Sequence, residues 1–511
     1  MKKHCAVLGV LLFLTVLLFC TACAGKTEEQ PIEKLADLME REAVLSFASD
    51  TDLTKEVLAV CPKAEIVFYD DTVLAMKAIE SNKITGYVCG EDYIDGAIAE
   101  GDFPNIRKLE DPVCVFYCGL GLAGKTEPVH DYVERVNACI EQLRADGTIK
   151  EMVRRWLEDE DAEMPEFEPI ENPEATLRIV TFGKSFPYSF MKDGRVVGSD
   201  VELAYRVAQA LNCDFTLECA EYPAMLMGLA TGKFDMVSAN LYISDDRKEN
   251  VLYSVPYNEV NIMMAVRKAS DADAGDGDGF LAMLNNKLYK TFAAENRWMM
   301  LLQGLLTTML ITVLGFLLAN LLGALFCLLM LSKRKWCNLI ADAYSRIMQG
   351  LPLVVILMIL FYIIFGSTRI PGEIVAIVAF GMVSGSSLAQ QFYGGITSVK
   401  RGQREAALAL GLTPYETVVG IVLPQAVRRV LPGYFSELIG LMKGTAIVGY
   451  VAVVDLTRVG DMIRSVTFDA FFPLFAVALI YFLIAFLLLS LLKTIMKRLE
   501  PKRVKKEENA E

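Results

Sequence analysis

Residues 171–190 read ENPEATLRIVTFGKSFPYSF, and from Leu177 onward the stretch has the form of a domain's first strand. The amphipathic pattern ELAYRVAQALN (202–212) follows it. The same alternation of β-run and helix already occurs upstream, as in GYVCG (86–90) and VHDYVERVNACIEQL (129–143). Alternation of this kind over residues 31–268 predicts α/β lobes with largely parallel sheets. A beginning that sits behind a long alternating stretch raises the question of the order in which the lobes are written.

Composition places the rest of the chain in lipid. Of 511 residues, 53% are hydrophobic and 22% charged, too apolar for a wholly soluble protein. Uncharged runs cover 304–331, 347–368, 374–399 and 470–492, each long enough for about 30 Å of hydrocarbon. A fifth candidate, 430–454, carries Glu437 and Lys443, charges that inside a membrane face protein or an aqueous path. Five crossings put the chain ends on opposite sides. The flanks on one side hold 16 Lys and Arg, while the other loops hold Arg369, Arg458 and Arg464, so the C-terminus is expected in the cytoplasm and the residues before Trp298 outside.

The N-terminus agrees. Lys2 and Lys3 precede an uncharged run over 6–25 and small residues around Cys23, the anatomy of a secretory signal over 1–23. Cys20-Thr21-Ala22-Cys23 resembles a bacterial lipoprotein signal, which implies cleavage before Cys23 and lipid on it; an uncleaved anchor is the alternative. A net charge of −13 argues against nucleic acid. Much of the acid lies in LEDEDAEMPEFEPIENPE (157–174), read as a solvent-facing spacer. Cys61, Cys89, Cys114, Cys118, Cys139, Cys213 and Cys219 are odd in number, so they cannot all pair with one another. With two His in the chain no metal site is expected, and nothing calls for a cofactor.

Residues 404–429 read REAALALGLTPYETVVGIVLPQAVRR. Glu405, Ala406 and Ala407 are followed by Gly411, and then by Ile421, Leu423 and Pro424. Alanines let a short helix approach another protein closely, and Gly takes the left-handed turn that ends such a helix. The pattern resembles the signature loop of ABC importer permeases, and LMKGTAI (441–447) resembles their polar-amino-acid subfamily. The resemblance implies that this loop docks on a separate ATPase dimer and that the pore needs a second copy of the permease. A rival motif, GLGLAGKT (119–126), fits a phosphate loop, and YVAVVD (450–455) mimics its partner strand. Glu127 and Pro128 follow at once where a helix N-terminus should hold phosphate, which argues against an ATPase on this chain.

Residues 177–268 resemble the first lobe of solute-binding proteins of the polar amino acid type, through LRIVTFGKSFPYSF, DGRVVGSDVELAYRVAQALN, LMGLATGKFDMV and ISDDRKENVLYSVPY. The resemblance implies that Arg247 grips a ligand carboxylate, for which a planar guanidinium is suited. It also implies that Asn240, Tyr242, Phe186 and Tyr188 line the pocket. PIEKLADLMEREAVLSFASDTDL (31–53) resembles the second lobe's start, which implies Asp50 and Thr51 as its ligand turn. The second lobe's ammonium-binding Asp aligns with Gly90, leaving Glu91 or Asp92 to replace it, and Phe182 stands at the first lobe's acidic position.

The expected architecture is therefore an α/β two-lobed periplasmic-binding-protein-like (type II) exterior domain followed by an all-α five-helix transmembrane ABC importer permease domain. Its expected parts are a second lobe with terminal helices over 31–157, an acidic linker over 158–175, a first lobe over 176–268, a tether over 269–285, a permease over 286–499 and a tail over 500–511. The expected function is a fused binding and permease subunit of an importer for amino acids or similar zwitterions. A ligand-gated channel or sensor is the alternative, but no TVGYG-like filter lies between the spans.

Overall fold

The computed structural model describes residues 32–499 except 49–51, 70, 101–102, 125–128, 160, 245–247, 249–250, 269–283, 286, 367 and 470. Cys23, Asp50, Thr51 and Arg247 lie outside the described residues.

Residues 44–267 build one ten-stranded sheet. At one end β1 (Val44–Phe47), β2 (Glu65–Phe68) and β3 (Gly86–Gly90) run parallel. Two long strands, β5 (Cys114–Leu122) and β12 (Asn258–Arg267), lie antiparallel through the middle, with β4 (Ile106–Lys108) on β12. At the other end β6 (Thr176–Thr181), β9 (Asp214–Cys219) and β10 (Met236–Tyr242) run parallel. β12 pairs with β3 and β5 with β10, so the central strands join the two groups. β11 (Leu252–Tyr253) pairs with β5, and β7 (Phe190–Lys192) with β8 (Arg195–Val197) forms a separate hairpin. β3 is buried at every position, as GYVCG requires of a strand covered on both faces.

Helices α1 (Asp52–Val60), α2 (Thr72–Glu80) and α3 (Glu91–Glu100) accompany the first group; α2 and α3 pack on β3 and β12. Helices α4 (Val129–Ala145) and α5 (Thr148–Glu158) pack on α6 (Ser199–Ala210), which belongs to the second group with α7 (Tyr222–Thr231). Trp156 of α5 is buried and donates its indole N–H to Glu202 of α6 at 2.9 Å. The segment after α5 departs from the solvated spacer expected of it. Ala162 is buried, Phe167 stacks on Tyr205 at 4.9 Å between centroids, and Gln209 donates to the Glu168 carbonyl. Its few apolar residues hold it along α6 while its carboxylates face water. The GLGL of the phosphate-loop motif lies inside β5, and its glycines pack against Leu241 and Ile243 rather than forming a loop.

The permease part is helical: α8 (Arg297–Leu331), α9 (Lys335–Gly350), α10 (Leu353–Met358), α11 (Gly372–Thr397), α12 (Arg401–Ala409), α13 (Pro414–Thr417), α14 (Leu423–Gly444), α15 (Leu456–Thr467) and α16 (Phe472–Leu499). Among the described residues three helices are long and apolar enough to cross a membrane, or up to five spans result if each of two bent pairs is one. The run expected as a second span, 347–368, is broken: α9 and the helix over Leu353–Ile364 meet at 104°. Pro352 has no N–H to continue α9, and the chain turns there. The first helix begins at Arg297, a full two turns before the expected 304. YVAVVD is not a strand; a 3-10 turn over Thr445–Val451 runs into it, and Asp455 caps α15 by accepting from the Arg458 N–H at 3.0 Å.

Candidate functional site

Beside the central strands, side chains from both strand groups meet. From the β3–α3 corner, Asp92 accepts a hydrogen bond from the Tyr188 hydroxyl, and the Tyr93 hydroxyl bonds to Ser185. The rings of Tyr93 and Tyr188 lie 6.0 Å apart. Asn258 of β12 donates to the Asn240 side-chain oxygen at 3.2 Å, and Tyr242 packs on Phe116 of β5 at 5.4 Å. Burial raises the Asp92 carboxyl above its ordinary value, against the lowering effect of the Tyr188 hydrogen bond.

Of the residues singled out in the sequence, the structure thus brings together Asn240, Tyr242, Tyr188 and Asp92. Glu91 does not join them: it pairs with Lys108 at 2.6 Å and accepts from Asn261 at 2.9 Å, and those hydrogen bonds hold its carboxyl low. Phe186 is half-buried and packs edge-on against Phe190 at 5.0 Å, on the core side.

The sequence reading missed Tyr93, Ser185, Asp200 and Tyr257. Asp200, at the start of α6, is fully buried and accepts from the Tyr257 hydroxyl at 2.8 Å. Burial pushes its carboxyl from 3.8 up to about 7, opposed by the Tyr257 hydroxyl and the Asn240 backbone N–H. The available signal was an acid in the apolar frame GSDVELA, where an unpaired charge would be costly. Cys61, Cys89, Cys114, Cys118, Cys139, Cys213 and Cys219 are all free thiols, buried or half-buried.

The second candidate site is the loop between α11 and α14. Glu405, Ala406 and Ala407 lie on α12, with Ala407 buried and Arg401 pairing with Glu405 at 2.7 Å. Gly411 takes φ +88°; its N–H bonds to the Leu408 carbonyl and that of Leu412 to the Ala407 carbonyl, the paired closure of a Schellman turn. Thr413 and Glu416 form a capping box with Pro414 in the first turn of α13. A π-helical turn over Val418–Val422, containing Ile421, leads into α14, which begins at Leu423 and Pro424. Lys400, Gln403, Ala406, Leu410, Leu412 and Ile421 border a concavity of about 550 Å³; Leu410 on its border is 84% exposed, and Tyr415 of α13 is 76% exposed. An exposed apolar rim of this kind on a short, capped helix is a feature that protein interaction surfaces share.

Residues 177–410 match bacterial extracellular solute-binding proteins, family 3. The arginine transport system permease protein of Bacillus subtilis is 30% identical over 205 residues, which is 39% of this chain and 92% of that protein. The probable amino-acid ABC transporter permease protein y4tG of Sinorhizobium fredii is 32% identical over 187 residues, 36% of this chain and 80% of that one. Among solved structures, the crystal structure of an amino acid ABC transporter with histidines aligns over 43% of this chain and 99% of the other, at 30% identity and a TM-score of 0.38. The chain belongs to the family of amino-acid ABC transporter permeases and carries a solute-binding segment of family 3 on the same polypeptide.

Proposed function

We propose that the chain binds amino acids or similar small polar zwitterions outside the cell and conducts them through its own permease part, driven by ATP hydrolysis on a separate subunit. The observation that carries this reading is the joining, on one polypeptide, of a solute-binding segment and a permease segment that carries an exposed, Schellman-capped loop.

In this reading the exterior part is one type II two-lobed domain in permuted order, with the second lobe over 31–157 written before the first over 176–268. Two features support it. The Arg107 guanidinium donates to the Ile32 carbonyl beside the end of β12, where an unpermuted chain would cross from first lobe to second. The segment after α5 packs on α6, so the end of one lobe is delivered to the start of the other. A ligand would sit between the groups at Asn240, Tyr242 and Tyr188, with Arg247 on its carboxylate, Asp92 rather than Glu91 as the nearby acid, and Asp50 and Thr51 at the second-lobe turn. Phe186 supports the pocket from the core. Five spans, a cytoplasmic C-terminus, a homodimeric pore, docking of Glu405–Pro424 on an ATPase dimer and lipid on Cys23 complete the proposal.

The second reading, a receptor whose cleft no longer binds, is favoured by one observation: Tyr93 and Tyr188 already bond across the cleft. Titrating the full chain in lipid nanodiscs with a panel of amino acids separates the two. Saturable binding of at least one amino acid, lost in Arg247→Ala, is expected. Absence of binding by every amino acid, with Arg247→Ala indistinguishable from the unsubstituted chain, supports the second reading and sinks the first.

A further inference from the structure

Helix α15 lies between the permease and both strand groups, and it is fixed to the permease along its length. The Leu456 N–H donates to the Thr308 hydroxyl at 3.1 Å, and the Tyr481 hydroxyl bonds to the Asp455 carboxylate at 3.2 Å. Gly304 of α8 and Gly460 of α15 bring the helices so close that a Cβ would fall 2.8 Å from Val459 and 2.5 Å from Val477. α15 therefore moves with α8 and α16 as one body.

Its opposite face holds the two groups at different points. Arg458 enters the β6–β9 group, where its guanidinium binds the Glu221 carboxylate and donates to the carbonyls of Phe182 at 2.7 Å and Ala220 at 3.0 Å. Arg464, six residues and about 9 Å further along the helix, pairs with Asp71 at 2.9 Å, the residue that caps α2 in the other group. Just past α15, Phe468 is 5% exposed and enters that group's core with Met76, Ile79, Ile94 and Ala97. Phe468 adopts φ +49°, a region that a bulky residue occupies only when its surroundings impose it.

The two attachments are unequal. The β6–β9 group is held a second time, by Lys233, whose ammonium donates to the Thr368 and Ile370 carbonyls at 3.1 and 3.0 Å. It also shares one continuous core with the permease, from Val180, Met225 and Phe234 to Phe361, Val448 and Val451. On the β1–β3 side, among the described residues, the permease contributes less: Phe468 in the core, and half-buried Val466 packed against the cluster that holds Leu45, Phe47 and Val88.

We propose that α15 is the element through which the permease reads closure of the cleft: Arg458 stays seated in the first group throughout the cycle, and Arg464–Asp71 together with Phe468 engages the second group only when the cleft is shut. Opening the cleft swings the β1–β3 group away from a helix that cannot follow, and Asp71 leaves Arg464. Arg464 and Phe468 are positioning residues; neither touches solute. This inference rests on the import reading above.

The test uses the full chain with its ATPase partner in proteoliposomes and reads two quantities, amino-acid affinity and amino-acid-stimulated ATP hydrolysis. Arg464→Glu and Asp71→Arg are each expected to lower stimulated hydrolysis about tenfold or more and, because the contact forms only in the shut state, to weaken affinity along with it, and the doubly substituted chain to recover most of both losses. A merely structural role would lower yield as well and would show no recovery. Single substitutions within about twofold of the unsubstituted chain, or a double substitution no better than its parents, overturn the proposal. A short bismaleimide bridging Asp71→Cys and Arg464→Cys reads the same contact without reference to ligand. Cross-linking in a chain that binds no amino acid refutes the import reading alone, and its failure in a chain that transports refutes this inference alone.

Discussion

Replacing Gly411 by alanine isolates one physical quantity in the docking loop. Gly411 has φ +88°, and a Cβ built there meets nothing within 4 Å, so no clash accompanies the substitution. What remains is the left-handed conformation, which costs an L-residue with a Cβ about 1–2 kcal/mol. The strain falls on the Schellman closure, because the Gly411 and Leu412 N–H groups that satisfy the Leu408 and Ala407 carbonyls need that conformation. If the docked ATPase requires the closed turn, the competent population falls by the same free energy, a factor of about 5–30 at 1.4 kcal/mol per tenfold. Asparagine tolerates the region better than alanine, and a β-branched residue tolerates it worse. The expected order of ATP-coupled uptake is therefore glycine, then Gly411→Asn, then Gly411→Ala, then Gly411→Val.

The assay is initial-rate uptake in proteoliposomes at saturating ATPase subunit, with co-purification of that subunit as a second reading. Affinity for solute should stay unchanged in all three variants, because the turn lies in the permease's loop, away from the cleft. Uptake by Gly411→Ala equal to that of the unsubstituted chain, or Gly411→Val no worse than Gly411→Ala, would refute the reasoning. Either result would mean that the loop docks without its turn.

Two further outcomes follow from the cleft. Tyr188→Phe removes the hydroxyl that bonds to Asp92 in the shut cleft, and should weaken amino-acid affinity by about 5–30-fold; Glu91→Gln, outside that contact, should leave it within about twofold. Asp200 keeps its proton in the fold up to about pH 7, whereas an unfolded chain releases it near 3.8, so the fold binds more protons between those values. The stabilisation present at low pH is thus lost as pH rises toward 7, up to about 4 kcal/mol. Asp200→Asn, which can accept the same Tyr257 hydrogen bond, should therefore gain in thermal midpoint over the unsubstituted chain at pH 8 and not at pH 4; a gain independent of pH would show that the carboxyl does not titrate in that range.

What could be read from the residues was what neighbours in sequence decide. GYVCG is apolar throughout because both faces of β3 are covered. Gly411 ends α12 because no other residue adopts its φ freely, and Thr413-Pro414-Tyr415-Glu416 starts α13 because a hydroxyl and a carboxylate three residues apart cap reciprocally. What could not be read depends on partners distant in the chain. Tyr93 meets Ser185 across 92 residues and Asp71 meets Arg464 across 393, and no local pattern encodes either meeting. The acidic segment after α5 misled for the same reason: its composition is that of a solvated spacer, but Phe167 finds Tyr205 on α6. The break at Pro352 was locally visible and was outweighed by an apolar run long enough for one span.

The long-range contacts also bear on the charge asymmetry that first oriented the chain. In the loops between spans on the side assigned to the exterior stand three arginines, Arg369, Arg458 and Arg464. Two of them are the two on α15, and their guanidinium groups meet Glu221 and Asp71 of the solute-binding segment. Their place is dictated by the carboxylates they bind, so they carry no information about how the helices enter the membrane. Set aside, they leave Arg369 in the loops, with Lys287, Lys290 and Arg297 ahead of the first span, against the 16 basic residues of the opposite flanks, and the asymmetry is sharper than the raw count. The two arginines that count against the charge asymmetry are those that hold the solute-binding segment to the permease, and the proposed exterior placement of α15 agrees with both the charge pattern and these contacts.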